Sequence, residues 1–427
     1  MIKISSEFIS IGEVLAHLKT VSHIEDRSEI IQEFVDKQNS STGNAYDRYL
    51  EYGPSTFMNV ITENSGANKE CIMWCVNHYL SLNRNIKVIE KASQALHQFG
   101  TGCGTSAVSC GMSSLHKEIE KRVAKLVGKE EAVLFPTGFT ANLASISYLT
   151  GRNDLILFDR ECHSSMINGF RLSKAKSIPF KHNDTADLEI KLKRYEGSYE
   201  NIFVVVESAY SMSGDLSPLK EITGLKRSHK FYLYVDEAHT FGFYGERGQG
   251  YCYEQGVTDD VDFLMSTLSK ATSSIGGFLA SKHKYCALIR WSDPYMFQAC
   301  LTQVDAAIIL ACLDEIENNP WMIKELHAKN QYMRDLLISK NFNLGDSKSP
   351  IIPIMIPDHL KLILVVNELY QEGIYSTPIV YPAVNKDEGR IRLILNYAHT
   401  KEQIDYTVET LEKICNKHNV PCFLGAR

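Results

Sequence analysis

The feature that most constrains the fold is a series of short apolar runs that alternate with segments of helical periodicity. The helical segments include residues 115–127 and 219–228. The apolar runs are residues 71–76, 132–135, 155–158, 202–206, 231–235 and 263–266. Short strands that are apolar throughout are typical of a parallel sheet with helices on both faces. The chain is therefore predicted to have an α/β fold with a mostly parallel central sheet.

The two ends of the chain show other patterns. Residues 11–37 carry apolar positions at helical spacing and predict one or two amphipathic helices, and the polar residues 38–46 predict a linker. Beyond about residue 303, helical and strand patterns alternate in a shorter segment. The helices are expected at residues 303–337, at 359–370 and from Thr400, and the strands at 351–356 and 390–395.

These patterns predict three parts of the chain. Residues 1–70 are expected to form an N-terminal helical extension or arm, residues 71–302 a large domain, and residues 303–427 a smaller C-terminal α+β domain. A length of 427 residues is sufficient for two or three such folding units.

The composition excludes several classes of protein. Lys and Arg number 45 and Asp and Glu 51, so the net charge of −6 provides no general field to attract nucleic acid. The 11 cysteines include no CxxC pair, which argues against a metal site or a disulfide framework. No apolar stretch approaches about 18 residues, and the first residues lack a signal-peptide pattern. We therefore expect a cytoplasmic protein with no membrane span, no nucleic-acid partner and no metal.

An acidic motif follows one of the predicted strands. Asp236-Glu237-Ala238-His239 comes directly after the apolar run 231–235. The same four letters occur in helicases, but the phosphate loop GxxxxGK(S/T) of an NTPase is absent from the sequence. An acid at the carboxyl end of a parallel strand is placed where such folds carry functional side chains. The alternative for Asp236 is an ordinary helix N-cap.

A lysine occupies a comparable place after another strand. Lys270 lies in the small-residue run 267–271, which is followed by Gly276-Gly277-Phe278. A desolvated lysine is suited to covalent chemistry with a carbonyl group, although a lysine in such a loop can equally be a solvated charge. Lys270 and Asp236 together are more specific. Pyridoxal 5'-phosphate (PLP) requires a lysine for its aldehyde and a carboxylate for its ring nitrogen.

Several further motifs occur in one order along residues 75–411. On these motifs the sequence resembles the α-oxoamine synthase family of fold-type-I PLP enzymes. The motifs are residues 77–82, the glycine-rich 100–111 with His116 and Glu120, 136–142, Asp159 with 163–165, 207–215, 236–239, 267–270, 390–392 and 398–400. The resemblance implies a fold-type-I PLP transferase fold, with PLP bound in the large domain, and a homodimer.

The resemblance also implies the catalytic residues. Lys270 would hold the cofactor covalently and remove the proton from the substrate Cα. Asp236 would keep the pyridine nitrogen protonated, so that the ring withdraws electrons. His239 would lie near the phenolic oxygen of the ring.

Other cofactor contacts are implied in the same way. His163 would stack on the ring, and its alternative is an ordinary helix-terminal histidine. Ser211 would lie near the phenolic oxygen. The backbone N–H groups of Gly138 and Phe139, at the start of a helix, would bind the phosphate with the hydroxyl of Thr267, as helix N-termini bind anions.

The resemblance also implies substrate contacts, which involve an arginine near the end of the chain and Asn77. Arg390 and Arg392 lie two residues apart on a predicted strand and share one face. In the family, an arginine of this pair binds the carboxylate of the amino acid, and the position favours Arg392, with Arg390 as a structural neighbour. Asn77 is expected near the substrate.

The implied reaction is a decarboxylative Claisen condensation. An α-amino acid and an acyl thioester, carried by CoA or an acyl-carrier protein, would give an α-amino ketone. Two alternatives remain on the same scaffold, namely an aminotransferase or aldolase reaction and a non-catalytic subunit of a heterodimeric synthase. The presence of Lys270 and Asp236 argues against the non-catalytic subunit.

Three departures from the family pattern predict a divergent member. Ala107 stands where the glycine-rich loop usually has an arginine. Gln298 and Ala299 replace the hydroxyl residues that reach the phosphate of the other subunit, so this contact is in question. Ser273, after the lysine, stands where glycine is common.

Overall fold

The computed structural model describes residues 11–41, 48–63, 65–420 and 422. They form two compact units. The large unit comprises residues 77–211 and 215–326, and the small unit comprises the described residues up to 76, residues 212–214 and those from 327 onward.

The strands are numbered in chain order. They are β1 Arg48–Leu50, β2 Phe57–Thr62, β3 Asn68–Met73, β4 Glu131–Phe135, β5 Asp154–Asp159, β6 Lys176–Phe180, β7 Asn201–Glu207, β8 Tyr232–Asp236, β9 Phe263–Thr267, β10 Gly277–Ser281, β11 Ile351–Met355, β12 Ile374–Tyr375, β13 Thr377–Ile379 and β14 Arg390–Ile394.

The α-helices are numbered in the same way. They are α1 Ile11–Leu18, α2 Ile24–Ser41, α3 Ile86–Phe99, α4 Ser114–Leu126, α5 Gly138–Leu149, α6 Ser164–Ser173, α7 Thr185–Tyr195, α8 Leu219–Gly224, α9 Tyr251–Glu254, α10 His283–Ile289, α11 Asp293–Met296, α12 Gln303–Asn318, α13 Trp321–Ser339, α14 His359–Gln371 and α15 Lys401–Lys417. None of them, over the part of the chain that is described, has both the length and the apolar character that a membrane crossing requires.

The described residues of the large unit contain a seven-stranded sheet of order β4-β10-β9-β8-β7-β5-β6. Strands β6, β5, β7, β8 and β9 pair in parallel, whereas β10 is antiparallel to both of its neighbours, β4 and β9. The apolar residues of the central strands are buried, as expected for strands covered on both faces. The predicted fold class is confirmed.

The described residues of the small unit form two smaller sheets. One has the order β1-β2-β3-β12 and the other the order β11-β14-β13. The N-terminal helices α1 and α2 contribute a small apolar cluster of Val14, Ile30 and Phe34. Helix α15 begins with a capping box, in which Thr400 and Gln403 each bind the backbone N–H of the other.

Several elements differ from the sequence-based expectation. The apolar run 71–76 was expected in the central sheet, which is wrong, because β3 pairs with β2 and β12 in the small unit. Strand β6 was missed because it lies at a sheet edge and is mostly exposed, so it lacks a continuous apolar run. Residues 38–41 of the expected linker belong to α2, and residues 42–46 lie outside the described residues.

The division into three domains remains a prediction, and the compact units follow other boundaries. The described residues before position 77 group with the C-terminal part of the chain. Strands β1, β2 and β3 occupy part of the segment for which a helical extension is predicted.

Candidate active site

The large unit contains a cavity of about 340 Å³ at the carboxyl end of its parallel strands. The last residues of β7, β8 and β9 are Glu207, Asp236 and Thr267, and all three line the cavity. Parallel strands end at the same sheet edge, so residues far apart in sequence meet there. The lining consists of Thr137, Gly138, Phe139, Asn142, His163, Ser165, Glu207, Asp236, Ala238, His239, Met265, Thr267, Ser269, Lys270, Ile275 and Gly276.

Seven of the ten predicted site residues are brought together by this cavity. They are Gly138, Phe139, His163, Asp236, His239, Thr267 and Lys270. Asn77 and Ser211 are not among the residues that line it. Arg392 belongs to the small unit.

Asp236 is buried and held by two donors. Its Oδ2 accepts a hydrogen bond from the Asn142 side-chain amide at 2.7 Å, and its Oδ1 accepts from the Ala238 N–H at 2.8 Å. The residues after Asp236 form turns, so Asp236 does not cap a helix in the described structure. A buried carboxylate at a cavity wall can hold a proton on a basic ligand atom.

Asn142 connects the acid to His163. The Tyr234 hydroxyl donates to Asn142 Oδ1 at 2.8 Å, which orients the amide so that Nδ2 faces Asp236. The same Nδ2 lies 3.0 Å from Ser165 Oγ, and this hydroxyl lies 2.8 Å from Nδ1 of His163. One buried network therefore holds both predicted cofactor contacts, although neither Asn142 nor Ser165 was assigned a role from the sequence.

His163 is both a helix cap and a cavity residue. Its Nδ1 accepts a hydrogen bond from the Ser165 N–H at the start of α6, which leaves the proton of a neutral ring on Nε2. Burial lowers the pKa of His163, and the charge of Lys270 acts in the same direction while Asp236 opposes it. The ring is therefore neutral near pH 7.

Glu207 is a further acid that was recognised from the sequence only as part of a motif. It pairs with Asp236 across β7 and β8, and its Oε1 accepts the His163 N–H at 2.6 Å. Burial and the neighbouring Asp236 raise the pKa of Glu207 well above its usual value. The position at a strand end, next to a predicted site acid, was the signal available in the sequence.

His239 is oriented by a buried tyrosine. The Tyr79 hydroxyl lies 2.7 Å from Nδ1 of His239, and the Tyr79 ring stacks on Phe243 with centroids 4.1 Å apart. Tyr79 and Phe243 are fully buried. This contact fixes the direction of the imidazole at the cavity wall.

The N-terminus of α5 is packed against the sheet through two glycines. A Cβ at Gly138 would lie 2.8 Å from Thr267 Cβ, and one at Gly277 would lie 2.5 Å from Gly138 Cα. The first N–H groups of a helix have no intrahelical acceptor and attract anions. Thr137 caps the helix, and the hydroxyls of Thr267 and Ser269 lie 2.7 Å apart in the same lining. A helix N-terminus with hydroxyl groups beside it can hold a phosphate, and we call this group of residues the phosphate cradle.

Lys270 begins a tight turn. Its C=O accepts the Ser273 N–H at 3.0 Å, and Ser273 has a φ of 48°. Left-handed backbone of this kind favours glycine, so serine at this position costs about 1 kcal/mol. The departure at Ser273 therefore changes the residue and keeps the glycine-like conformation.

The other departures lie between the glycine-rich loop and α12. Ser106 and Ala299 form an isolated β-bridge, and the Cys300 N–H donates to Thr105 O at 3.0 Å. The Gln298 side-chain Nε2 is buried and has no hydrogen-bond partner within the described ranges.

In the small unit, the two arginines of β14 differ in their surroundings. Arg390 is buried and forms an ion pair with Glu388 at 3.2 Å. Arg392 is half-buried, and its Nη1 lies 3.9 Å from Met212 Sδ. Across the described residues, no group of three or more His, Cys, Asp or Glu side chains is arranged to hold a metal ion.

Comparison with known proteins identifies the family. The family model for aminotransferase class I and II matches residues 69–411. Serine palmitoyltransferase of Bacteroides thetaiotaomicron is 37% identical over 82% of this chain and 89% of its own length. The 8-amino-7-oxononanoate synthase of Thermoanaerobacter pseudethanolicus is 32% identical over 82% of this chain and 89% of its own.

Solved structures agree with the sequence relatives. The Sphingomonas wittichii serine palmitoyltransferase has a TM-score of 0.87 and 28% identity, and the match covers 94% of this chain and 100% of that one. A high-resolution structure of SPT with PLP has a TM-score of 0.87 and 26% identity, with 93% and 100% covered.

The chain belongs to the aminotransferase class I and II family. Within it, the chain is a PLP-dependent enzyme of the α-oxoamine synthase type, which condenses an amino acid with an acyl thioester and releases CO2. The predicted family, fold, cofactor and reaction class are confirmed.

The cavity residues fit this cofactor. PLP carries a phosphate, a basic ring nitrogen and an aldehyde, and the cavity offers a helix N-terminus, a buried carboxylate and a lysine. The absence of a Cβ at Gly138 lets the start of α5 lie against Thr267, so the helix N-terminus and the Thr267 hydroxyl are close enough to bind one phosphate.

Proposed function

We propose that this enzyme joins L-serine to a long-chain acyl thioester. The observation that carries the proposal is the gathering of Lys270, Asp236 and His163 around one cavity. The choice of substrates follows the relatives named serine palmitoyltransferase, which are 34–38% identical to this chain, whereas those named 8-amino-7-oxononanoate synthase are 32–35% identical.

Lys270 and Asp236 are assigned the central roles. Lys270 Nζ would hold the cofactor covalently and, when it is free, would accept the proton from the substrate Cα. Asp236 holds a proton at the pyridine nitrogen, and the donors Asn142 and Ala238 keep this carboxylate in position. When bound, PLP supplies an electron sink for the negative charge that develops at Cα.

The remaining cavity residues bind and orient. The N–H groups of Gly138 and Phe139 and the hydroxyl of Thr267 bind the phosphate. The neutral ring of His163 would pack on the pyridine ring. His239 and Ser211 donate to or accept from the phenolic oxygen, with Tyr79 fixing the direction of His239.

Arg392 and Asn77 are proposed as substrate contacts. A guanidinium binds a carboxylate in bidentate geometry, which orients the bond to the carboxyl group that leaves as CO2. Arg390 is already paired with Glu388, which supports Arg392 as the ligand of the pair. Asn77 is assigned to the substrate with Arg392 because it belongs to the first motif of the resemblance.

The reaction balances without a further reactant. A C–C bond forms between Cα of serine and the carbonyl carbon of the acyl group, and the C–S bond of the thioester breaks. The thiol leaves with a proton, and the carboxylate leaves as CO2, after which Cα is protonated. The product is a long-chain α-amino ketone.

We also propose a homodimer. Phe297 is 77% exposed and Val108 is also exposed, both next to the Ser106–Ala299 bridge in the large unit. Helix α3 adds Ile86, Ile89 and Leu96 as further exposed apolar side chains. A second copy that covers these side chains would remove apolar surface from water. Light scattering of the wild type and of Phe297→Glu tests the proposal, and a monomeric wild type would contradict it.

The substrates are tested with purified protein reconstituted with PLP. Serine, alanine and glycine are each combined with palmitoyl-CoA and with shorter acyl-CoA thioesters, and free thiol and product mass are measured. We expect most thiol release with serine and palmitoyl-CoA. The product should have the mass of the condensed substrates after loss of the thiol and of CO2. Lys270→Ala should abolish both signals, whereas Lys121→Ala, which changes an exposed lysine of α4, should not.

The other outcomes are informative. Product with alanine or glycine but not with serine would reject serine as the amino acid. Keto acid or aldehyde without thiol release would indicate transamination or aldol cleavage. Turnover by Lys270→Ala would reject the assigned mechanism.

A further inference from the structure

A cluster of charged side chains lies outside the cavity lining, between the ends of two strands. His182 follows β6, and its Nδ1 lies 2.9 Å from Oδ1 of Asp159, the last residue of β5. Its Nε2 lies 2.6 Å from Oδ2 of Asp215. Both aspartates are buried, so each contact is shielded from water.

The geometry defines the charge of this histidine. A neutral imidazole has one N–H, but both nitrogens of His182 face carboxylate oxygens, which accept hydrogen bonds. Only the imidazolium satisfies both contacts. Glu161 adds a third carboxylate 3.8 Å from Nε2, and the Tyr210 ring packs edge-on with centroids 4.4 Å apart. Burial opposes the charge, but the hydrogen bonds and charges of Asp159 and Asp215 raise the pKa of His182 to about 10.

Asp159 shapes the loop that leads to His163. Its Oδ1 accepts the Glu161 N–H at 2.9 Å, and its C=O accepts the Cys162 N–H at 3.0 Å. The next residue is His163, the N-cap of α6 and a wall of the cavity. The carboxylate of Asp159 therefore sets the path of the chain up to the proposed stacking histidine.

Asp215 closes the base of the loop that carries Ser211. Its C=O accepts the Tyr210 N–H at 3.1 Å, and Ala209 and Leu216 form a β-bridge directly outside this contact. Asn183, next to His182, donates from its side chain to Asp215 Oδ2 at 3.0 Å. Its N–H donates to Asp159 Oδ2 at 2.8 Å. Two consecutive residues thus hold both aspartates.

We propose that His182 is a positioning residue, whose imidazolium ties the loop that ends at His163 to the loop that carries Ser211. The inference rests on the roles proposed above for His163 and Ser211. Without the charge, two buried carboxylates would repel each other, and the two loops would separate. The expected consequence is a misplaced cofactor, since small displacements at a catalytic site reduce the rate strongly.

The test uses His182→Gln in the full-length holoenzyme. Glutamine keeps a polar side chain of similar length but cannot carry the charge. The control is His229→Gln, because the His229 side chain is also largely enclosed, at 7% exposed against 14% for His182, but precedes β8 at the opposite end of the strand from Asp236. Four quantities are measured: the dissociation constant of PLP from the apoprotein, the visible circular dichroism of the bound cofactor, kcat and KM.

We expect His182→Gln to lower kcat by about tenfold to a hundredfold and to change the visible dichroism, with a smaller effect on KM. His229→Gln should change neither kcat nor the visible dichroism. A His182→Gln holoenzyme with wild-type dichroism and kcat would overturn the proposal, even if its melting temperature fell.

Asp215→Asn, which removes one of the two partners, is measured in parallel. It should change the dichroism in the same way. If neither variant folds, the cluster is required for folding and the positioning role is rejected. A wild-type protein that binds no PLP would instead reject the proposed function, so the two failures are distinguishable.

Discussion

The Tyr79 hydroxyl lies 2.7 Å from Nδ1 of His239, although the two residues are 160 positions apart in the chain. Tyr79 is fully buried and its ring is held against Phe243, so the hydroxyl has a fixed direction. The orientation of a cavity histidine is therefore set by a residue that does not itself line the cavity.

Tyr79→Phe removes this hydrogen bond and keeps the ring. Because a single net hydrogen bond contributes about 1 kcal/mol, we expect a small decrease in the melting temperature. The larger effect should be on turnover, with kcat lower by about tenfold. Steady-state kinetics and thermal denaturation measure the two effects. Tyr253→Phe, at an exposed site, is the control, and equal kinetics in both variants would contradict the role of Tyr79.

Asn142→Ala should weaken cofactor binding. The substitution removes a donor from the buried Asp236 and from the network that reaches His163. We expect the dissociation constant of PLP to rise about tenfold or more, and the free energy of unfolding to fall by about 1–3 kcal/mol. Fluorescence titration of the apoprotein and urea denaturation provide these values. Asn153→Ala removes an exposed amide and should leave the dissociation constant and the unfolding free energy close to their wild-type values. Unchanged PLP affinity in Asn142→Ala would show that this network does not support cofactor binding.

Gly138→Ala tests the phosphate cradle. The new Cβ would lie 2.8 Å from Thr267 Cβ, so we expect a loss of about 1–3 kcal/mol in unfolding free energy. Binding of PLP should weaken more than binding of pyridoxal, which lacks the phosphate. Gly224→Ala is the control, because a Cβ at Gly224 would meet no neighbouring group within 4 Å. Equal weakening of both ligands in Gly138→Ala would mean that the phosphate binds elsewhere.

The two arginines of β14 should respond differently to lysine. Arg392→Lys loses bidentate geometry, and we expect KM for the amino acid to rise by about tenfold with little change in melting temperature. Arg390 is buried and paired with Glu388, so Arg390→Lys should chiefly lower the melting temperature. The reverse pattern would assign the carboxylate to Arg390.

Acid should destabilise the small unit through His399. Burial lowers the pKa of His399 to about 3, although its hydrogen bonds with Met73 and Asn396 act against this. Unfolded histidine titrates near pH 6.5, so below that pH the unfolded chain binds the additional proton. The contribution to stability is complete above about pH 6.5 and decreases as the pH falls toward 3. Urea denaturation from pH 7.5 to 4.5 measures the free energy of unfolding at each pH. The decrease of this free energy with falling pH should be smaller in His399→Gln than in the wild type. Equal slopes would exclude His399 as the cause.

Much of the large unit was predictable because its information is local. A buried parallel strand is recognisable in the sequence as one apolar run, and the functional residue stands at or just after its carboxyl end, as Asp236 does at the end of β8. The position of Lys270 after β9 follows the same rule. Seven predicted residues therefore line one cavity.

The parts that were missed depend on partners distant in sequence. The residues of an apolar run do not determine which other strand it pairs with, so β3 was predicted in the wrong sheet. Asn142 binds Asp236 from 94 positions away, and nothing in either local pattern specifies this contact. The pair formed by His182 and Asp215 is of the same kind.

The contact of Gly277 with Gly138 joins backbone to backbone, with no side chain between β10 and the start of α5. Such a contact has no rotamers to order. The backbone at the start of α5 is therefore ordered before a ligand arrives, and the entropy of ordering it is lost when the chain folds, not when the cofactor binds. The antiparallel strand β10, which carries Gly277, thus contributes to the preorganisation of the cofactor site.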